Sequence, residues 1–136
     1  MNDLLRILRQ CDLNPPSSKA TIEAVEEEVG IKFPHEYVDF LLHGNGGEGA
    51  VGDENYIRLW KVEEIPDLNR EYQVDTYAPG FLIIGSDGGG EAIAFDFRCG
   101  NVVVCMLPFV GMSPKARAYI GRSFGDFLKK YENDSF

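Results

Sequence analysis

Basic side chains are scarce in this sequence. Its 136 residues carry 13 Lys and Arg against 22 Asp and Glu, a formal net charge of −9. Duplex binding draws its free energy from Lys and Arg displacing counterions from phosphate, so no nucleic-acid partner is expected. The balance suits a free soluble protein or one that meets a basic partner. Cysteine is sparse too: Cys11, Cys99 and Cys105 are odd in number and form no C-x-x-C pair. That fits a reducing compartment, where free cysteine serves as a small buried hydrophobe. Long apolar runs are missing. The longest, Val102 to Val110, has nine residues, about half of a bilayer span. Arg6 and Arg9 interrupt the amino terminus before a signal-peptide core develops. No membrane association is expected, and the cytoplasm is the expected location.

Motifs of catalysis and metal binding are equally thin. Two glycine-rich loops, Gly44 to Gly49 and Gly85 to Gly90, contain no Lys and carry Glu48 and Asp87 where an anion would sit. Neither opens a helix, as a phosphate cradle requires, so they read as a helix cap and a hairpin turn. His35-Glu36-Tyr37-Val38-Asp39 has Asp39 where a zinc-protease helix needs its second His. His43 reads as a group favoured at a helix carboxyl end. Ser86-Asp87 has no neighbouring His, and G-x-S-x-G is absent. Asp87, Glu91 and Asp96 share a hairpin, but alternation sends Glu91 and Asp96 to opposite faces and calcium-loop spacing is missing. All three read as solvated hairpin acids. No catalytic, cofactor-binding or metal-ligating residue is assigned, and Trp60 reads as core.

What is present is a foldable pattern. Hydrophobic residues make up 44% and charged residues 26%, the globular balance, in a chain of one-domain length. Asp3 heads a short helix with Leu4, Leu5 and Leu8 on one face. Asn14-Pro15-Pro16 breaks the chain, and Ser17 or Ser18 caps a second helix carrying Ile22, Val25 and Val29, with Gly30 past its end. Pro34 opens a third helix that turns Tyr37, Phe40 and Leu41 inward and closes at Gly44. The period then changes from 3.6 to 2. Tyr56, Arg58 and Trp60 alternate with Ile57, Leu59 and Lys61; Phe81 to Ile84 is a buried strand; Glu91 to Phe97 and Val102 to Leu107 follow across short turns and so pair antiparallel. Ser123 and Asp126 head a closing helix with Phe124, Phe127, Leu128 and Tyr131 on one stripe. Helices, meander and closing helix make a single α+β domain. Phe33, Tyr37, Phe40, Phe81, Ile83, Phe124, Phe127 and Leu128 are expected in one core.

Charge is uneven along the chain. Residues 1–68 hold 6 basic and 14 acidic side chains, whereas Lys115, Arg117, Arg122, Lys129 and Lys130 cluster near the other end. The basic run reads as solvated helix faces.

Taken in order, Ile22-x-x-Val25-Glu26-x-x-Val29-Gly30-Ile31-x-Phe33-Pro34-x-x-Tyr37-x-x-Phe40-Leu41, Asn45-Gly46-Gly47, Phe81 through Glu91, Ala94-Phe95-Asp96 and Ser123-Phe124-x-x-Phe127-Leu128 resemble the SUKH superfamily, the Smi/Knr-like domain first named from a fungal cell-wall assembly regulator. The resemblance runs over residues 18–131, leaving 1–17 as a helix with a Pro-containing linker and 132–136 as a tail. It implies an α+β fold with a mainly antiparallel sheet and flanking helices. Bacterial members are commonly immunity proteins that neutralise polymorphic toxins, nucleases among them; fungal members are regulatory scaffolds. No general catalytic residues carry over. Glu91 stands where members often have Asp, and 64–80 is idiosyncratic. The leading expectation is a non-catalytic immunity protein for a basic toxin domain, with a regulatory scaffold and then an enzyme with an unrecognised site as alternatives. The expected contacts are Glu48, Asp53, Glu54, Asp87 and Glu91, at the glycine-rich loops.

Overall fold

The computed structural model describes residues 2–133. Along the chain come α1 (Asn2–Ile7), β1 (Cys11–Leu13), α2 (Lys19–Val29), α3 (His35–Leu41), β2 (Gly47–Val51), β3 (Asn55–Leu59), α4 (Ile65–Glu71), α5 (Val74–Tyr77), β4 (Phe81–Ser86), β5 (Glu91–Asp96), β6 (Val103–Pro108), β7 (Ala118–Gly121) and α6 (Phe124–Asn133). The seven strands form one antiparallel sheet in sequence order. This is the α+β meander expected from the period change. Helix α6 runs on to Asn133, and the rest of the 132–136 segment lies outside the described residues.

The helix boundaries follow from local chemistry. Ser18 Oγ accepts the Thr21 N–H at 3.1 Å, supplying one of the donors that a helix start leaves unpaired. Gly30 leaves α2 in the left-handed conformation. At the start of α6, Ser123 Oγ accepts the Asp126 N–H at 3.0 Å and the Asp126 carboxylate accepts the Arg122 N–H at 2.8 Å. A further donor of that first turn, the Gly125 N–H, reaches Glu36 on α3 at 3.2 Å. One helix therefore caps another across the core.

On its front face the sheet packs against α1, α2, α3 and α6. Tyr37 sits at the centre, 5.4 Å from Phe33, 5.0 Å from Phe95 and 5.3 Å from Phe124, each edge to face. Such pairs add roughly 0.5–1.5 kcal/mol each beyond area burial. The segment before Ser18 supplies Leu4, Ile7 and Leu8 to this core and β1 to the sheet edge. Ile7 is buried and Leu5 only partly so.

Phe81 and Ile83 do not join it. They form a second cluster on the back face with Val74, Ala78, Ala92, Ala94, Cys105, Leu107 and Met112. Strand alternation is the reason: Leu82 and Ile84 point to the front core, so their neighbours point away from it. The short α5 and the loop at Met112 close this second layer.

The second half of the first glycine-rich loop, from Gly47, is strand β2, paired on both sides. Gly46 enters it at φ 74°, and a Cβ there would lie 2.5 Å from the carbonyl oxygens of Leu59 and Trp60; only glycine fits. Asn45 beside it is buried and joins three segments. Its side chain donates to Glu63 at 2.6 Å and accepts the Val62 N–H at 2.9 Å, while its carbonyl accepts from Asn14 at 3.0 Å. Helices α4 and α5 interrupt the meander between β3 and β4. Asn69 on α4 donates to the Ile83 carbonyl and accepts the Ile83 N–H, both at 2.8 Å. Its amide continues the ladder past the point where β3 ends.

Candidate partner-binding surface

The back face is covered over β4–β6 and open over β1–β3. Ser86, Ala92, Ala94, Cys105 and Leu107 are buried, whereas Asp12, Ala50, Tyr56 and Arg58 are exposed on the same side of the sheet. Helix α4 walls the open half, leaving a groove of about 450 Å³ lined by Asp12, Glu48, Arg58, Trp60, Glu64 and Leu68 among others. Its floor is a polar network set by register. Glu48 lies opposite Arg58, which donates to it at 2.9 Å, and the Tyr56 hydroxyl donates to the same oxygen at 2.8 Å. The Tyr56 hydrogen bond first, and Arg58 second, hold the Glu48 carboxyl below its ordinary pKa.

A ladder of rings starts at the border between open and covered halves and crosses the covered half from the end of β3 toward the end of β6. Trp60 and Tyr72 are near parallel with centroids 6.2 Å apart, and Tyr72 and Phe109 are 4.7 Å apart. Trp60 packs against both cores but stays half-buried. It is neither wholly core nor wholly surface.

The five expected contact residues divide. Asp53 and Glu54 are exposed in the β2–β3 turn. Asp87 lies in the β4–β5 turn and Glu91 at its far side, and the β3–β4 register sets both turns at one end of the sheet. Asp87 Oδ1 accepts the N–H groups of Gly89 at 2.8 Å and Glu91 at 3.2 Å, so its carboxylate closes its own turn. Burial, then the nearby Asp87, raises the Glu91 pKa. Alternation from the back-facing Ala92 sends Glu91 to the front. Glu48 is on the back face, apart from the other four.

Asp96 is not a solvated hairpin acid: it is 3% exposed. Arg98 binds it through Nε at 3.0 Å and Nη2 at 2.9 Å, and Arg117 reaches it at 2.6 Å. Burial raises its pKa, but these bonds outweigh burial and hold it down at about 2. The Arg98 guanidinium also lies 4.6 Å above the Phe81 ring. Alternation places Asp96 on the back face, and the signal that it would be paired was the nearby Arg98; Arg117 arrives only through the fold.

The basic run is likewise not one solvated helix face. Arg117 is spent on Asp96, Lys129 pairs with Asp3 at 3.4 Å, and Lys130 lies 3.7 Å from Asp126 and donates to the Ile120 carbonyl at 3.0 Å. His35 is exposed, 3.1 Å from Asp39 on its own helix. The His43 ring nitrogen Nδ1 lies 2.9 Å from the Asp39 carbonyl. Among the described residues, no group of three or more His, Cys, Asp or Glu is placed to hold a metal ion. Burial pushes the thiols of Cys11 and Cys105 up to about 11 and about 12, far from the thiolate form that reacts. No helix among the described residues is long and apolar enough to cross a membrane.

Comparison with known proteins agrees with this architecture. An uncharacterized protein of Bacillus subtilis (strain 168), YnaB, is 33% identical over 92 residues, which cover 68% of this chain and 59% of that relative. The model of the SMI1 / KNR4 family (SUKH-1) matches residues 16–130, a span that takes in α2 through most of α6 and nearly the whole sheet, and the chain belongs to that family.

Proposed function

We propose that this chain is a non-catalytic, protein-binding member of its family, an immunity protein that neutralises a basic toxin domain in the cytoplasm. The observation that carries the reading is the carboxylate-rich end of the sheet, where Asp53 and Glu54 project into solvent beside the turn that holds Asp87 and Glu91, on a chain of net charge −9. A nuclease toxin concentrates positive charge around its phosphate-binding cleft. An acidic partner is drawn toward such a cleft and takes the place of substrate charge.

Co-expression with any toxin-like protein encoded beside this gene tests the reading. Growth is rescued and the two chains co-purify. Replacing Asp53 and Glu54 by Lys slows association and flattens its salt dependence, because those charges act before contact. Unaltered killing with no co-purification rejects the immunity role and returns the chain to the regulatory-scaffold class.

A further inference from the structure

We infer that the contact surface proper is the open half of the back face together with its aromatic border, and that its occupant is an arginine-presenting surface of a cationic protein domain. The inference rests on the protein-binding reading above and moves the site of tight contact away from the hairpin-end acids.

Interface energy concentrates in Trp, Tyr and Arg side chains set in or beside well-packed surface. This face gathers all three. Tyr56, Arg58 and Trp60 are spaced by two along one chain segment and so share a side of the sheet. The pairing of the Trp60 N–H with the Ile84 carbonyl at 2.9 Å carries that geometry one residue past β3. Tyr72 is 42% exposed while its ring is held between Trp60 and Phe109, and Val110 beyond it is 92% exposed. Rings already fixed against one another lose little conformational freedom when a partner covers them. Val110, the residue that follows Phe109, adds exposed apolar surface at that end of the ladder.

Charge selects the occupant. Asp12, Glu48 and Glu64 line the groove against Arg58 and Lys61, and Arg58 is already bound to Glu48. A second copy of this chain would bring another net charge of −9 to the same surface, and a nucleic acid would bring phosphate; both are repelled. A guanidinium is suited to the site because it stacks on exposed aromatic faces and donates in a planar fork to carboxylates. Steering and holding then belong to different residues: the hairpin-end acids set the association rate, and the aromatic border sets the dissociation rate.

Trp60 is the only tryptophan, so its indole N–H reports on this surface alone. In the 15N-labelled full chain titrated with a tetra-arginine peptide, the largest shifts fall on the Trp60 indole and on the amides of Tyr56, Tyr72 and Val110. They shrink at least threefold in Tyr72→Ala and in Val110→Lys, the latter at a position too exposed to disturb folding. Shifts confined to Asp53, Glu54 and Asp87 overturn the inference. With a toxin that co-expression has shown to be neutralised, the charge-neutral Tyr72→Ala speeds dissociation at least tenfold and leaves the salt dependence of association intact. Neutralisation with unchanged dissociation rejects this surface and leaves the immunity reading standing. Peptide shifts at Trp60 without any neutralisation reject the immunity reading and leave the surface standing.

Discussion

The two faces of the sheet are finished in different ways. The front face packs against α1, α2, α3 and α6, with Val62 just before α4 and Ile65 at its start joining them, and its side chains are large: Ile57, Leu59, Leu82, Ile84, Ile93 and Phe95 meet Tyr37, Phe40 and Phe124. The back face is sealed only over β4–β6, where the small Ala92, Ala94 and Cys105 lie among Phe81, Ile83 and Leu107 under the cover of Val74, Ala78 and Met112. Over β1–β3 nothing among the described residues covers it. Each strand's composition records this. β5 is apolar at Ala92 through Phe95, as a strand buried on both faces must be. β3 alternates Tyr56 and Arg58 with Ile57 and Leu59, as a half-solvated strand does. A sheet with one sealed face can leave part of the other free for a partner without exposing the core.

Substitutions graded across these regions test the comparison. The largest effect belongs to the front core. Phe127→Ala removes a ring that is 2% exposed and stacked on Tyr131 at 5.6 Å, and it lowers stability by about 3–5 kcal/mol in urea unfolding. A loss below about 1 kcal/mol would mean that α6 is peripheral to the front core.

An intermediate effect belongs to the covered half of the back face. The Asp96 pKa is held at about 2, below the ordinary 3.8. Its contribution is therefore complete above the ordinary value and is lost as pH falls from there through about 2, where the unfolded chain takes up the proton first. The difference amounts to about 2 kcal/mol. Asp96→Asn removes that stability near pH 7 and flattens the acid limb of the unfolding profile between about pH 4 and pH 2. An acid limb unchanged by the substitution shows that the two arginines do not stabilise the charged form.

The smallest effect belongs to the open half. Arg58→Ala breaks only a solvent-exposed pair with Glu48, and such pairs add little to folding. Its urea midpoint matches that of the unaltered chain. A clear fall in the midpoint would show that the open face is held together by this network and is not free to receive a partner.

Much of the fold was legible because local chemistry sets it. The Ser18 cap, the Gly30 exit and the Ser123–Asp126 start of α6 need only neighbours in sequence, and all three stand in the structure. Strand β2 was hidden because glycine has no side chain to alternate; what makes Gly47 a strand residue is β1 lying against it, with the Asp12 carbonyl 2.2 Å from where a Cβ would be. Helices α4 and α5 were hidden too, since they are short and their hold on the sheet comes from Asn69 reaching Ile83. Of the candidate surface, the acids were visible as residues. The separation of Glu48 from the other four was not, nor was the ladder from Trp60 to Phe109.

Composition and short-range spacing were enough for α2, α3 and α6 with their caps and inward stripes, for strands β3 to β6 and for the acidic balance, because these depend on a few neighbouring residues and on residue counts. That Phe81 and Ile83 belong to a second core, that Arg117 pairs with Asp96, and that three rings from separate segments meet on the back face came only with the folded chain. Those outcomes depend on which faces of the sheet become covered, and cover is supplied by segments distant in sequence whose approach no local pattern encodes.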